Sequence, residues 1–309
     1  MATPSEVSIA GRRLSLSNLD KVLYPQVGFT KAQVIDYYVR VAPVLLPHLR
    51  DRPLTLKRYP DGVEGEFFYE KNCPRFRPDW VRTVPLWSEG NQRHVNFCLV
   101  NDLASLVWVA NLADLELHTP LSLAGAVARP TLLAFDLDPG APADIVQCCE
   151  VALLLRQFFD PLGLQSFPKT SGSKGLQVYV PLNAPRLTYD DTKAFARALA
   201  ENLEQGHPDL VVSSMKKSLR VGKVLVDWSQ NDEHKTTICA YSLRAKERPT
   251  VSTPVTWDEV EACARRGKAE GLVFDWEAVL RRIAERGDLF APVLTMRQRL
   301  PRAASATSR

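Results

Sequence analysis

Apolar and polar positions along the chain read as short strands alternating with amphipathic helices. The sharpest stretch is Leu132-Leu133-Ala134-Phe135-Asp136-Leu137-Asp138-Pro139-Gly140, where four apolar residues run into two carboxylates and a Pro-Gly break. This is the pattern of a buried strand ending in acid. Strand side chains alternate between faces, so Asp136 and Asp138 point one way and Leu137 the other. Val224-Leu225-Val226-Asp227-Trp228 repeats the pattern with a third acid, closely followed by Gln230 and Asn231. Residues 7–16 read as a hairpin, and 17–25 as a capped turn stopped by Pro25. Thr30 is a good N-cap for a helix over 31–49, with Val34, Tyr37, Tyr38, Val41 and Leu45 on one face. Further helices are predicted near 102–112, 143–159, 190–203, 257–268 and 274–286, and further strands near 53–60, 97–100, 164–168, 176–180 and 236–243. Alternation over 115–120 places Glu116 and His118 on one face, the usual mark of a structural hydrogen bond. Residues 73–93, rich in Pro, Arg and Trp, read as an irregular surface excursion, and residues 1–6 as frayed.

No internal repeat or long linker interrupts this mixture, which predicts an α/β protein. At 45% hydrophobic and 24% charged, the 309 residues have an ordinary globular composition. The net charge of +4 creates no global field, so any nucleic-acid contact must come from local basic clusters. The six cysteines (Cys73, Cys98, Cys148, Cys149, Cys239 and Cys263) show neither a C-x-x-C pair nor zinc-ligand spacing with His. Free thiols in a reducing cytoplasm are expected. No signal sequence and no run of eighteen apolar residues is visible, so a soluble, non-exported protein with no membrane contact is expected.

Candidate chemistry begins with the paired acids. Two like charges on one strand face repel, and an oxygen-only pair suits Mg²⁺ or Mn²⁺; the same acids could instead cap the next helix or bind water. Asp227 from a second strand is what a two-ion site would need. Lys169-Thr170-Ser171-Gly172-Ser173-Lys174-Gly175, between two strands, has the small residues and lysine of a backbone nest for phosphate oxygens, without Walker A spacing. Lys31 opposes the helix macrodipole at its N-terminus unless it meets an anion there. Phe67-Phe68-Tyr69 cannot all face one core on a strand. Outward rings beside Lys57, Arg58 and Lys71 would form a stacking platform for bases; the alternative is a strand buried on both faces.

Four motifs in order, Phe135-Asp136-Leu137-Asp138-Pro139-Gly140, Thr170-Ser171-Gly172-Ser173-Lys174-Gly175-Leu176, Val226-Asp227-Trp228-Ser229-Gln230-Asn231 and Tyr241-Ser242-Leu243-Arg244-Ala245, resemble the polymerase domain of bacterial ligase D. That family belongs to the archaeo-eukaryotic primase superfamily and works in DNA repair. Without a ligase or phosphoesterase module, the chain is similar to stand-alone actinobacterial primase-polymerases associated with ligase C. The resemblance implies mixed sheets flanked by helices with an RRM-like catalytic module. Residues 1–130 would form an N-terminal module, 131–300 the catalytic module and 301–309 a disordered tail.

The implied activity is template-dependent nucleotidyl transfer that fills short gaps or extends ends, in excision repair or non-homologous end joining, with NTPs preferred over dNTPs. Asp136, Asp138 and Asp227 would hold two Mn²⁺ or Mg²⁺ ions. Lys57, His118, Ser171, Lys174, Gln230 and Arg244 would bind the nucleotide. Asn18, Lys21 and Lys31 would hold the 5′-phosphate of gapped or broken DNA, while Phe68, Tyr69 and Arg220 would contact template or DNA. An ATP-dependent DNA ligase of C or D type, and Ku, are the implied partners, in the bacterial nucleoid. The family commonly has histidine at the position of Gln177, so altered rate or metal preference is expected. A DNA-end-binding scaffold without catalysis and a de novo primase remain the rival readings.

Overall fold

The computed structural model describes residues 5–301. The chain begins with a hairpin of β1 (Ser5–Ile9) and β2 (Arg12–Leu16), then a small pair of β3 (Val22–Tyr24) and β4 (Phe29–Thr30) leading into α1 (Lys31–Leu49). Thr30 caps α1 with a reciprocal Gln33 bond, and the predicted apolar face is buried. Next come β5 (Thr55–Arg58), β6 (Phe68–Glu70), β7 (Thr83–Ser88), β8 (Arg93–Cys98), α2 (Leu103–Asn111) and β9 (Asp114–Thr119). The acid strand is β10 (Leu132–Pro139), followed by α3 (Ile145–Phe159), β11 (Phe167–Thr170), β12 (Leu176–Pro181), α4 (Tyr189–Gly206), β13 (Val211–Val212) and β14 (Val224–Asp227). The chain closes with β15 (Thr237–Ile238), α5 (Trp257–Arg266), α6 (Trp276–Arg286) and α7 (Pro292–Thr295).

The central sheet has the order β11-β12-β10-β14-β13, antiparallel except for the β13–β14 pair. With α3 and α4 as crossings, its core is a β-α-β-β-α-β unit, the RRM-like arrangement expected. A second sheet, β15-β9-β5-β6, lies mostly in the N-terminal part. Two hydrophobic cores follow from β10 itself. Leu133, Phe135 and Leu137 face one core with α3, α4 and α5, while Leu132 and Ala134 face the other with α1, α2 and β9. Asp136 and Asp138 continue the second face just where that core ends. The C-terminal third returns to the core of α1, α2 and β9 through β15, Val279, Phe290 and Val293.

Several local expectations are corrected. Residues 73–93 are not wholly irregular: β7 and β8 form a regular antiparallel hairpin, and exposed Pro85 is tolerated because the ladder has only two strands. Cys73 and Cys98 form a disulfide with their Cα atoms 5.1 Å apart, so the expectation of free thiols holds only for Cys148, Cys149, Cys239 and Cys263. A backbone bond from Cys73 N to Asn96 O sets them side by side, which their spacing of 25 could not reveal. The 17–25 segment keeps its turn and adds β3 after it, and the 236–243 strand shrinks to β15 because Tyr241 adopts a positive φ of 66°. The strand foreseen at 164–168 lies at β11, and the 53–60 strand at β5. The expected tail falls almost wholly outside the described residues, as do residues 1–4. No described helix is long and apolar enough to cross a membrane.

Candidate active site

The register of the central sheet sets Asp136 of β10 directly opposite Asp227 of β14, with Gln177 of β12 on its other side. Directly opposed strand residues hold their Cβ atoms about 5 Å apart on one face, so Asp136, Asp138 and Asp227 share a surface. Burial, then repulsion from Asp138 and Asp227, pushes the Asp136 carboxyl up to about 7. Asp138 is also raised, by burial and Asp227, against a lowering from Arg220 and Arg244. Asp227 accepts bonds from Ser229 N at 2.9 Å and Gln230 Nε2 at 3.2 Å. Hence Gln230 touches a carboxylate. Among the described residues no three His, Cys, Asp or Glu side chains form a ready-made compact ligand cluster. The three repelling carboxylates nevertheless have the donor chemistry for a hard divalent cation.

The 171–175 loop is pressed against this acid strand. Ser171 Oγ accepts from Ser173 N at 3.2 Å and Gly175 N at 3.1 Å, closing a tight turn. A Cβ on Gly175 would lie 2.1 Å from the Leu137 carbonyl oxygen, and one on Gly172 (φ +68°) 2.6 Å from Val251 backbone. Only glycine permits both approaches. Arg244 Nη1 reaches Ser171 O at 3.2 Å, and Lys174 is exposed within electrostatic reach of Lys246.

Lys57 and His118 enter from β5 and β9. Lys57 Nζ bonds Glu116 at 3.2 Å and sits 4.4 Å from the Phe67 ring centroid. His118 Nε2 lies 3.0 Å from the same carboxylate, and its ring meets Tyr69 edge-on. Phe67, Phe68 and Tyr69 are all exposed, and Phe68 carries the Arg58 guanidinium at 5.1 Å. The sequence-level alternative of a strand buried on both faces is thereby excluded.

Asn18, Lys21 and Lys31 also meet. Lys21 N bonds Asn18 O, and Lys31 N bonds Lys21 O at 2.8 Å. Lys31 Nζ is anchored to Ser17 O at 2.7 Å; burial, then Lys21 and Arg58, pulls its pKa to about 8. Lys21 pairs with exposed Asp61. Arg220 lies in a loop packed on the end of β10, where a Cβ on Gly140 would meet Arg220 O at 1.9 Å.

Two residues were absent from the sequence-derived site. Glu116 is buried among Lys57, His118 and Arg244. The alternation of 115–120 had put it beside His118, but gave no hint of the other two. Lys169, fully buried on β11, bonds Gln177 Oε1 and Ser252 Oγ; burial draws its pKa to about 7 despite Asp136. Gln177 also accepts from Tyr179 and donates to Thr237, so its amide is committed to a buried network.

The RRM-like sheet, with acids on adjacent strands beside a glycine-bound nest, defines a domain of primase-polymerase type. The chain belongs to the LigD primase-polymerase domain family, whose model matches residues 30–290. It is 44% identical over 283 residues to the multifunctional non-homologous end joining protein LigD of Mycolicibacterium smegmatis, covering 91% of this chain and 36% of that protein. The bifunctional non-homologous end joining protein LigD of Bacillus subtilis is 33% identical over 275 residues, covering 89% of this chain and 43% of that protein. The chain therefore spans well under half the length of these relatives. The polymerase domain of Mycobacterium tuberculosis ligase D, solved in complex with DNA, superposes with TM-score 0.83 at 40% identity, covering 91% of this chain and 98% of that one.

Proposed function

We propose that the chain is a template-dependent nucleotidyltransferase that fills short gaps or extends ends at DNA breaks bearing a 5′-phosphate, using NTPs in preference to dNTPs. The carrying observation is the contact of two opposite devices: Gly175 of the phosphate nest lies against the carbonyl of Leu137, between Asp136 and Asp138. An acid pair and an anion cradle forced together suit a nucleoside triphosphate held by divalent cations. Mn²⁺ or Mg²⁺ held by Asp136, Asp138 and Asp227 would offset their repulsion and polarise the reacting phosphoryl group.

The remaining work falls to this chain's own groups. Lys174, Arg244 and Lys57 place positive charge against the triphosphate, and the Ser171 hydroxyl, which accepts from the loop's own N–H groups, donates its proton to a phosphate oxygen. The primer 3′-hydroxyl attacks the α-phosphorus, its proton passes to solvent water, the bond from the α-phosphorus to the bridging oxygen breaks, and pyrophosphate departs toward Lys174, Arg244 and Lys57. Gln230 sits beside the acids where the sugar would lie. Lys21 and Lys31 hold the downstream 5′-phosphate, and the exposed Phe68 and Tyr69 stack on template bases. An ATP-dependent ligase of C or D type and Ku are the proposed partners. The intact acids and nest weigh against a purely scaffolding role.

The test is nucleotide addition on a short 5′-phosphorylated gap, comparing NTP with dNTP and Mn²⁺ with Mg²⁺. No addition with either ion would sink this reading, and equal use of both sugars would remove the ribonucleotide preference. Synthesis on an unprimed template would favour primase activity.

A further inference from the structure

We propose that Glu116 is a positioning residue that sets the shape of the nucleotide pocket by gathering Lys57, His118 and Arg244 around one buried carboxylate. The proposal rests on reading those three as nucleotide ligands. Glu116 is 1% exposed. Its Oε2 holds Lys57 Nζ at 3.2 Å and His118 Nε2 at 3.0 Å. Its Oε1 accepts from Ala245 N at 3.0 Å and lies 3.2 Å from Arg244 Nε. That last contact is off the hydrogen-bond line, so the attraction there is ionic.

An acid inside an anion-binding pocket works against affinity by charge alone, which makes geometry its use. Lys57 comes from β5, His118 from β9 and Arg244 from the segment after β15. Without a shared counter-charge the Lys57 and Arg244 cations would repel each other and splay. One carboxylate against Lys57 and Arg244 still leaves excess positive charge for a triphosphate, reinforced by nearby Lys174 and Lys246. The tether continues beyond the acid, because Arg244 Nη1 bonds Ser171 O and Thr250 Oγ1 bonds Gly172 O at 2.6 Å. Glu116 thus connects the N-terminal sheet to the phosphate nest. It also fixes the His118 ring, whose Nε2 lies 3.0 Å from the carboxylate.

The discriminating variant is Glu116→Gln, which keeps the volume but turns an NH₂ group toward donors on one side. Binding of a fluorescent NTP without divalent ion, and NTP KM and kcat with Mn²⁺, should both be measured. Nucleotide affinity is expected to weaken about tenfold, mostly in KM, while binding to 5′-phosphorylated gapped DNA stays within about twofold. Glu116→Asp, which keeps the charge on a shorter arm, should fall between wild type and Glu116→Gln. In a Lys57→Gln background the effect of the Glu116 change should shrink, since its partner is gone. Should Glu116→Gln fail to fold, the same cycle is run with Glu116→Asp.

Wild-type nucleotide affinity in Glu116→Gln, with only the melting temperature lowered, overturns the proposal, as does full additivity with Lys57→Gln. Absence of nucleotide binding by the wild-type chain overturns the functional reading and this proposal together. Binding by wild type and by Glu116→Gln alike overturns this proposal alone.

Discussion

Two charged clusters in this molecule are built on opposite principles. Around Glu116, cations and an acid neutralise one another, and the carboxyl is held well below its usual range: burial pushes it up, but the His118 bond and the charges of Arg244 and Lys57 outweigh that. On the central sheet burial and mutual repulsion raise Asp136 and Asp138, outweighing Lys169 near the first and Arg220 and Arg244 near the second. The first cluster pairs its acid as folded and keeps positive charge in excess. The second is a stored repulsion, which a bound opposite charge would relieve. Lys31 shows the second principle with the sign reversed, since burial, then Lys21 and Arg58, depresses it, although Lys21 itself pairs with Asp61.

The contrast breaks most decisively at the acids. Asp136→Ala combined with Asp138→Ala should reduce nucleotide addition on a gapped duplex by about a thousandfold or more; wild-type rates would show that the repulsion serves nothing. The contact joining acids to nest comes next. Gly175→Ala puts a carbon 2.1 Å from Leu137 O, so activity should fall about a hundredfold with a stability loss of about 1–3 kcal/mol. Gly271→Ala, where a Cβ meets open space, should be silent in the same denaturant melts and assays.

A smaller effect is expected at the two lysines. Lys21→Ala and Lys31→Ala should each weaken binding to 5′-phosphorylated gaps about tenfold, with little change for 5′-hydroxyl ends. Equal loss on both substrates would misplace the pocket. The smallest effect concerns pH. Lys31 is charged below about 8 and neutral above it, so discrimination for the 5′-phosphate should decline a few-fold as pH rises through that value. The unfolded chain binds more protons than the folded one between about 8 and the ordinary 10.5, so Lys31 makes folding stability rise with pH there. A Lys31→Arg variant should keep its phosphate preference to higher pH, measured by fluorescence anisotropy at several pH values.

Periodic segments were readable because their signals are local. The Thr30 cap and the apolar face of α1 sit within one helix, and β10 announces both its faces in eight residues. The hairpin β7–β8 was hidden because Pro85 and exposed Trp87 blur the alternation, although the ladder is regular. The Cys73–Cys98 bridge depended on where two separate loops fold. Lys169 looked like one more loop lysine, since nothing local says that β11 buries it between Gln177 and Ser252.

By itself the sequence determined the strand ending in Asp136 and Asp138, the third acid on a matching strand, the glycine-bound nest and, through four ordered motifs, the family. Tertiary structure alone decided that Asp136 faces Asp227 across the ladder, that Gly175 touches the acid strand, and that Glu116 gathers Lys57, His118 and Arg244 from three separate segments. Hydrogen-bond periodicity is set by neighbours along the chain. Electrostatic energy falls with distance through space, so which charges repel and which neutralise is fixed only once remote segments are folded together.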